Sequence, residues 1–147
     1  MTYREAINLG EKVLNMADVA DAKIDAWLLL EMVCKIDRSF YYLHMEDEVA
    51  EEQLSEYEIA LRKRAEHVPL QYIVGEAEFM GLKFKVNSNV LIPRQDTETL
   101  VEEALKVVKP GMKVLDMCTG SGCIIVSIVH NVPEVEGTAT DLSLIHI

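Results

Sequence analysis

Chemistry gathers at one stretch of this 147-residue chain, Met112 to Ile125, reading MKVLDMCTGSGCII. A brief apolar run, Val114-Leu115, ends on Asp116, and a turn of Thr119, Gly120, Ser121 and Gly122 follows. The apolar run Cys123 to Val129 is then fit for a buried helix. Strand, glycine-rich turn and helix in that order make the nucleotide-binding half of an α/β sheet. Glycine lets the backbone turn sharply and approach a ligand closely. The helix behind it aims unsatisfied N–H groups at whatever lies above the turn. A dinucleotide fingerprint wants G-x-G-x-x-G; Gly120 and Gly122 fit, and Ile125 holds the third place. The turn carries no lysine, so it is no phosphate-gripping loop. A second acid, Asp141, closes the strand-like run Gly137-Thr138-Ala139-Thr140, about twenty residues on, where a carboxylate can accept both hydroxyls of a ribose. A ribose without phosphates suits S-adenosylmethionine. The plain alternative is a tight corner that binds nothing.

The elements that position this corner are legible from caps and periods. Thr2 with Glu5 reads as a capping box, and Ala6, Ile7, Leu9, Val13, Leu14 and Met16 keep to one helical face behind it. A second helix is expected from about Asp21 to Lys35; Ala26, Trp27, Leu29, Leu30, Met32 and Val33 make it apolar around much of its girth, the centre of a small core. Phe40-Tyr41-Tyr42-Leu43 reads as a short helical turn, and a third long helix is expected from roughly Val49 to His67, ended by Val68-Pro69. Residues 1–68 are thus expected to be a helical bundle. Pro69 to Gly75 reads as an extended apolar linker, and Ala77–Met80 with Leu82–Val86 as a β-hairpin around Gly81, so that 69–92 join two domains. Thr97 or Asp96 should N-cap a helix running to Val108, which Pro110-Gly111 breaks before the central strand.

Composition narrows the partners. A net charge of −11 disfavours non-specific affinity for DNA or RNA backbones. Arg62-Lys63-Arg64 is the one basic run, read as a solvated helical face. Glu46-Asp47-Glu48 with Glu51-Glu52 reads as the acidic start of a helix, complementing its dipole. No apolar run approaches the length needed to cross a bilayer, and the charged start MTYREAINLGEKV is no signal peptide. Cys34, Cys118 and Cys123 are scattered without metal-ligand spacing and fit a reducing cytoplasm. His44, His67, His130 and His146 are likewise dispersed, so no metal is expected.

Four segments resemble the bacterial protein-(glutamine-N5) methyltransferases that modify peptide chain release factors. Pro69-Leu70-Gln71-Tyr72-Ile73-Val74-Gly75 is similar to that family's P-x-Q-Y-I-x-G linker, and Glu78-Phe79-Met80-Gly81 with Phe84 and Val86 to its hairpin. Leu91-Ile92-Pro93-Arg94-Gln95-Asp96-Thr97-Glu98 resembles its L-I-P-R-x-D/E-T-E signature, and Asp116 to Gly122 its cofactor loop. The resemblance implies an α + α/β chain: a helical substrate-docking domain over 1–68, the hairpin linker over 69–92, and the first part of a Rossmann-like methyltransferase domain over 93–147. It implies S-adenosylmethionine as cofactor, cradled by Cys118, Thr119, Gly120, Ser121 and Gly122, with Asp141 on the ribose and Pro93 and Arg94 near the pocket mouth. The implied substrate is the glutamine of the Gly-Gly-Gln tip of a release factor, in the cytoplasm, with no direct nucleic acid and no membrane.

Two departures stand out. Cys118 occupies a place where the common loop has glycine; if that place needs a positive φ, a side chain costs on the order of 1 kcal/mol. The family's Asn-Pro-Pro-Tyr segment, which grips the glutamine amide, lies beyond the second acidic strand, and Asn131-Val132-Pro133 does not stand in for it. The chain as given therefore holds no catalytic residue and is expected to be inactive, and the run Leu144-Ile145-His146-Ile147 reads as foreign. The helical part is expected to fold alone, while residues 112–147 are marginal or self-associate. Two rival readings remain: a nucleic-acid amino-methyltransferase, whose usual basic surface is missing, and a non-catalytic module that binds a translation factor.

Overall fold

The computed structural model describes residues 1–141; Leu142, Ser143 and the run 144–147, with His146, lie outside the described residues. The chain divides into two compact units at Val74-Gly75.

The first unit is five helices: α1 (Tyr3–Met16), α2 (Ala22–Cys34), α3 (Arg38–His44), α4 (Glu51–Ala65) and α5 (Leu70–Val74). The capping box forms as read: Thr2 Oγ1 accepts the Glu5 N–H at 3.2 Å and Glu5 Oε2 accepts the Thr2 N–H at 2.9 Å. Helix α2 is the core helix, burying Ala22, Ala26, Trp27, Leu29, Leu30 and Cys34. One three-helix joint fixes the packing. The Tyr57 hydroxyl of α4 donates to the Ala26 carbonyl of α2 at 3.0 Å, and a Cβ at Gly10 of α1 would meet that hydroxyl at 2.1 Å. Gly10 is therefore glycine because a phenol fills its side-chain space. Burial pushes the Tyr57 phenol upward, with Cys34 a lesser cause.

Three expectations fail in this unit. Arg64 is not on a solvated face: its Nε donates to the buried Asp25 carboxylate at 2.7 Å and its Nη1 to the Val68 carbonyl at 3.1 Å, tying α4 to α2. Arg62 and Lys63 are exposed as read. Glu46 to Glu48 do not begin a helix. They run beside the chain start, where the Tyr3 and Arg4 N–H groups bond the Asp47 and Met45 carbonyls and Thr2 bridges Glu48; only Glu51 and Glu52 stand in the first turn of α4. Residues 70–74 are helical rather than extended, because Pro69 sits just ahead of the helix, needs no N–H there and offers its carbonyl to Tyr72 and Ile73. Leu70 and Ile73 pack on the helical core.

The second unit opens with the antiparallel hairpin of β1 (Glu76–Phe79) and β2 (Leu82–Lys85). Met80 and Gly81 both take positive φ, +52° and +72°, as a two-residue turn of matching twist requires. A 3-10 turn over Gln95–Thr97 leads into α6 (Glu98–Val107); then come β3 (Lys113–Met117), α7 (Cys123–Asn131) and β4 (Glu136–Thr140). Phe79 and Phe84 of the hairpin meet edge to face at 6.2 Å and share a core with Val101, Cys123, Ile128 and Val135. The hairpin, expected within a linker, thus contributes to the centre of this unit. Thr97 makes no side-chain cap on α6; Glu98 in its first turn instead reaches the hairpin turn, its Oε1 accepting the Met80 N–H at 2.6 Å.

Candidate functional site

Strands β3 and β4 pair in parallel, Lys113 opposite Glu136 through Met117 opposite Thr140. Both therefore end at the same edge, and ligands of open α/β sheets sit beyond the carboxyl ends of the strands. The turn Cys118–Gly122 leaves β3 at that edge and Asp141 leaves β4 beside it.

The turn is internally braced. Thr119 Oγ1 donates to Asp116 Oδ2 at 2.7 Å, so the acid at the strand end anchors the turn. The Thr119 N–H bonds the Thr140 carbonyl at 3.1 Å, and the Gly122 N–H closes on the Thr119 carbonyl at 2.9 Å. Across the gap, the Gly120 N–H donates to Asp141 Oδ2 at 2.5 Å. The two pieces that the sequence set twenty-one positions apart are in direct contact.

Backbone shape explains the glycines and tests the cysteine. Gly120 and Gly122 have φ of +58° and +79°, and a Cβ on Gly120 would meet nothing within 4 Å. That glycine is demanded by conformation and leaves open space in front of the turn. Cys118 also has a positive φ, +63°, and is exposed, so the condition for strain is met at a place where L side chains are disfavoured. Ser121, half-buried, completes the turn, and Gly122 stands as the N-cap of α7.

The helix behind the turn is held close. Ile125 and Ile128 of α7 are buried, and a Cβ at Gly137 of β4 would lie 2.7 Å from Val129 Cγ2 and 3.0 Å from Ile125 Cγ1. Gly137 therefore lets β4 lie against α7. Cys123 is buried at the helix start, packed with the Phe79 core, which favours a structural thiol.

Arg94, expected near a pocket mouth, makes its bonds to Asp96: Nη2 to Oδ2 at 2.6 Å and Nε to Oδ1 at 3.2 Å. The hydrogen bond from Arg94 holds the Asp96 carboxyl below the usual carboxylate range. Among the described residues no hydrogen bond joins Arg94 to the turn. Sequence reasoning missed Glu98 as the tie to the hairpin. Its only signal was an acid in a first helical turn, which the dipole alone would explain. Among the described residues no group of three His, Cys, Asp or Glu could hold a metal ion, and no helix is long and apolar enough to cross a membrane.

Comparison with known proteins agrees with this architecture. Residues 5–75 match the family described as PrmC N-terminal domain. Over 145 residues the chain is 38% identical to the release factor glutamine methyltransferase of Moorella thermoacetica, a match covering 97% of this chain and 51% of that protein. The protein of the same name from Clostridium acetobutylicum is 42% identical over 145 residues, with the same coverage. That from Koribacter versatilis is 36% identical over 145 residues, covering 97% and 52%. The chain spans about half the length of the curated relatives it matches. Over that span, the chain is similar to release factor glutamine methyltransferases, and its residues 5–75 match the PrmC N-terminal domain.

Proposed function

We propose that this chain is the docking and cofactor-binding part of an enzyme that transfers the methyl group of S-adenosylmethionine to the side-chain amide nitrogen of a glutamine in the Gly-Gly-Gln tip of peptide chain release factors. The supporting observation is the joined corner: two parallel strands ending together, a turn open above Gly120, and a carboxylate bonded to it through Gly120 N–H. In this reading Cys118, Thr119, Gly120, Ser121 and Gly122 receive the methionine end of the cofactor and Asp141 takes the ribose. Asp141 Oδ2 already holds the Gly120 N–H, so turn and acid are set relative to one another before a diol arrives. The absence of a phosphate-gripping lysine in the turn agrees with an adenosyl compound. The helical unit, residues 1–74, takes the docking of the protein substrate, and the second unit begins a Rossmann-like catalytic domain.

The bound sulfonium supplies an activated methyl group, and no metal is required. What the chain contributes is position. An amide nitrogen is a poor nucleophile, so rate comes from holding it in line with the methyl and excluding other geometries. Asp116 serves this indirectly by fixing Thr119, and with it the path of the turn.

Calorimetry on the 147-residue chain tests the cofactor half of this reading. S-adenosylmethionine should give saturable heat, weakened about tenfold or more by Asp141→Ala, which removes a charged acceptor. Clear heat with a nicotinamide dinucleotide and none with S-adenosylmethionine would end the reading. The substrate half is tested on a full-length version of the chain by tritiated methyl transfer to a release factor, with DNA and RNA as negative controls; transfer to either nucleic acid in place of the release factor would overturn it.

A further inference from the structure

Helices α1, α2 and α3 leave between them a groove of about 430 Å³. Its floor is aromatic. Trp27 is buried, with the edge-on Tyr41 ring centred 5.4 Å away and the Arg38 guanidinium 5.4 Å from its centroid. Ile7 and Ile24 add aliphatic wall, and Tyr42 stands at the side with 64% of its surface exposed. Two cations, Lys23 and Arg38, also line the groove, and among the described residues neither has a carboxylate within 4.0 Å. Glu11 is the one acid on the lining.

Over residues 1–74, Asp and Glu outnumber Lys and Arg roughly two to one, so a lining with two cations against one acid differs in sign from the surface around it. Unpaired cations over an aromatic floor leave the groove locally positive on an acidic body. An apolar or aromatic side chain fits the floor, where edge-to-face contact with Trp27 and Tyr41 adds to its burial. A carboxylate beside it would satisfy Arg38 in fork geometry and Lys23 as a point charge.

We infer that this groove docks an acidic polypeptide segment carrying an apolar or aromatic side chain. A nucleic acid fits less well: its unbroken run of phosphates brings more negative charge against Glu11 and a body of net charge −11 than two cations offset, whereas a peptide needs only one carboxylate beside its apolar side chain. The inference deepens the proposed function by describing how a protein substrate is held. Its test uses no methyl donor, so the two readings fail separately.

Trp27 is the single tryptophan of the chain, so its emission reports on this floor alone. The 147-residue chain is titrated with the blocked peptide acetyl-Glu-Leu-Glu-Phe-Glu-amide, with its Gln-for-Glu and Lys-for-Glu counterparts, and with a short oligouridylate. The acidic peptide should change the emission saturably, and at least about tenfold more tightly than either counterpart. Lys23→Gln and Arg38→Gln should each weaken it about fivefold, and added salt should weaken it further. Lys23 is exposed, so its variant stays informative if Arg38→Gln disturbs the Trp27 stack; circular dichroism checks both. Equal binding of the uncharged peptide, unchanged affinity in the Lys23→Gln variant, binding of the oligouridylate in place of the peptide, or no response to any probe would each overturn the inference.

Discussion

The helical unit and the strand-turn-helix unit use their apolar residues differently. In the first, Ala6, Leu14, Ala26, Leu29, Leu30 and Tyr57 are wholly removed from solvent, and the charged group buried among them, Asp25, has its partner in Arg64. In the second, among the described residues, only Phe79 and Val101 are large apolar side chains fully removed, while Leu115 and Met117 of β3 stand 59% and 70% exposed and every residue of β4 is exposed. Helices joined by short connections satisfy their own backbone groups and close a core among themselves. A two-stranded parallel pair leaves hydrogen-bonding edges open and is marginal as a sheet. The first unit thus closes its own core, while the second, over its described residues, leaves strand edges and apolar side chains open to solvent.

Variants can break or sharpen that contrast. Arg64→Ala should have the largest effect, about 3 kcal/mol off the first unit, because it strands the buried Asp25 carboxylate. Urea melts followed by Trp27 emission would show it. A loss under about 1 kcal/mol would mean that water reaches Asp25 and that the closed core is leakier than its packing implies. Gly10→Ala should come next. Alanine gains up to about 1 kcal/mol of helix propensity, but its methyl overlaps the Tyr57 hydroxyl, and overpacking costs about 1–3 kcal/mol. A net loss is expected, and Tyr57→Phe in the same chain should relieve it.

In the second unit, Glu98→Ala should cost about 1 kcal/mol by leaving the Met80 N–H without its acceptor. Exchange of that amide should rise while α2 amides keep their protection. Smallest is Cys118→Gly, expected to stabilise by about 0.5 kcal/mol, since relief of a positive φ is partly offset by the freer unfolded chain. A destabilised variant would show that the thiol makes a contact of its own. Independently of any variant, amides of Leu115 to Met117 should exchange far faster than those of Leu29 and Leu30. Uniformly slow exchange in a monomer would erase the distinction between the units.

Local signals were legible and distant ones were not. The Thr2–Glu5 box, the hairpin around Gly81, the strand ends at Asp116 and Asp141, and the positive-φ condition at Cys118 each depend on residues a few positions apart, or on a spacing the fold repeats. Arg64 with Asp25, Gly10 with Tyr57, and Glu98 with Met80 are pairings across thirty-nine, forty-seven and eighteen positions. Nothing in period or composition announces such a partner, and a basic run on a charged helix reads as solvent-facing until another helix is laid against it. The helix at Leu70–Val74 was missed for another reason. Pro69 is equally good at ending one helix and starting the next, and the residues around it do not distinguish the two uses.

Gly137 carries a consequence of its own. It has no functional group, yet its bare backbone is what allows β4 to press on Ile125 and Val129. Any side chain there would lever the strand outward, and the strand's far end is where Asp141 begins. The reach of that carboxylate to the Gly120 N–H is therefore gauged by a hydrogen atom four residues upstream, so that a methyl group added out of sight of the corner would open it.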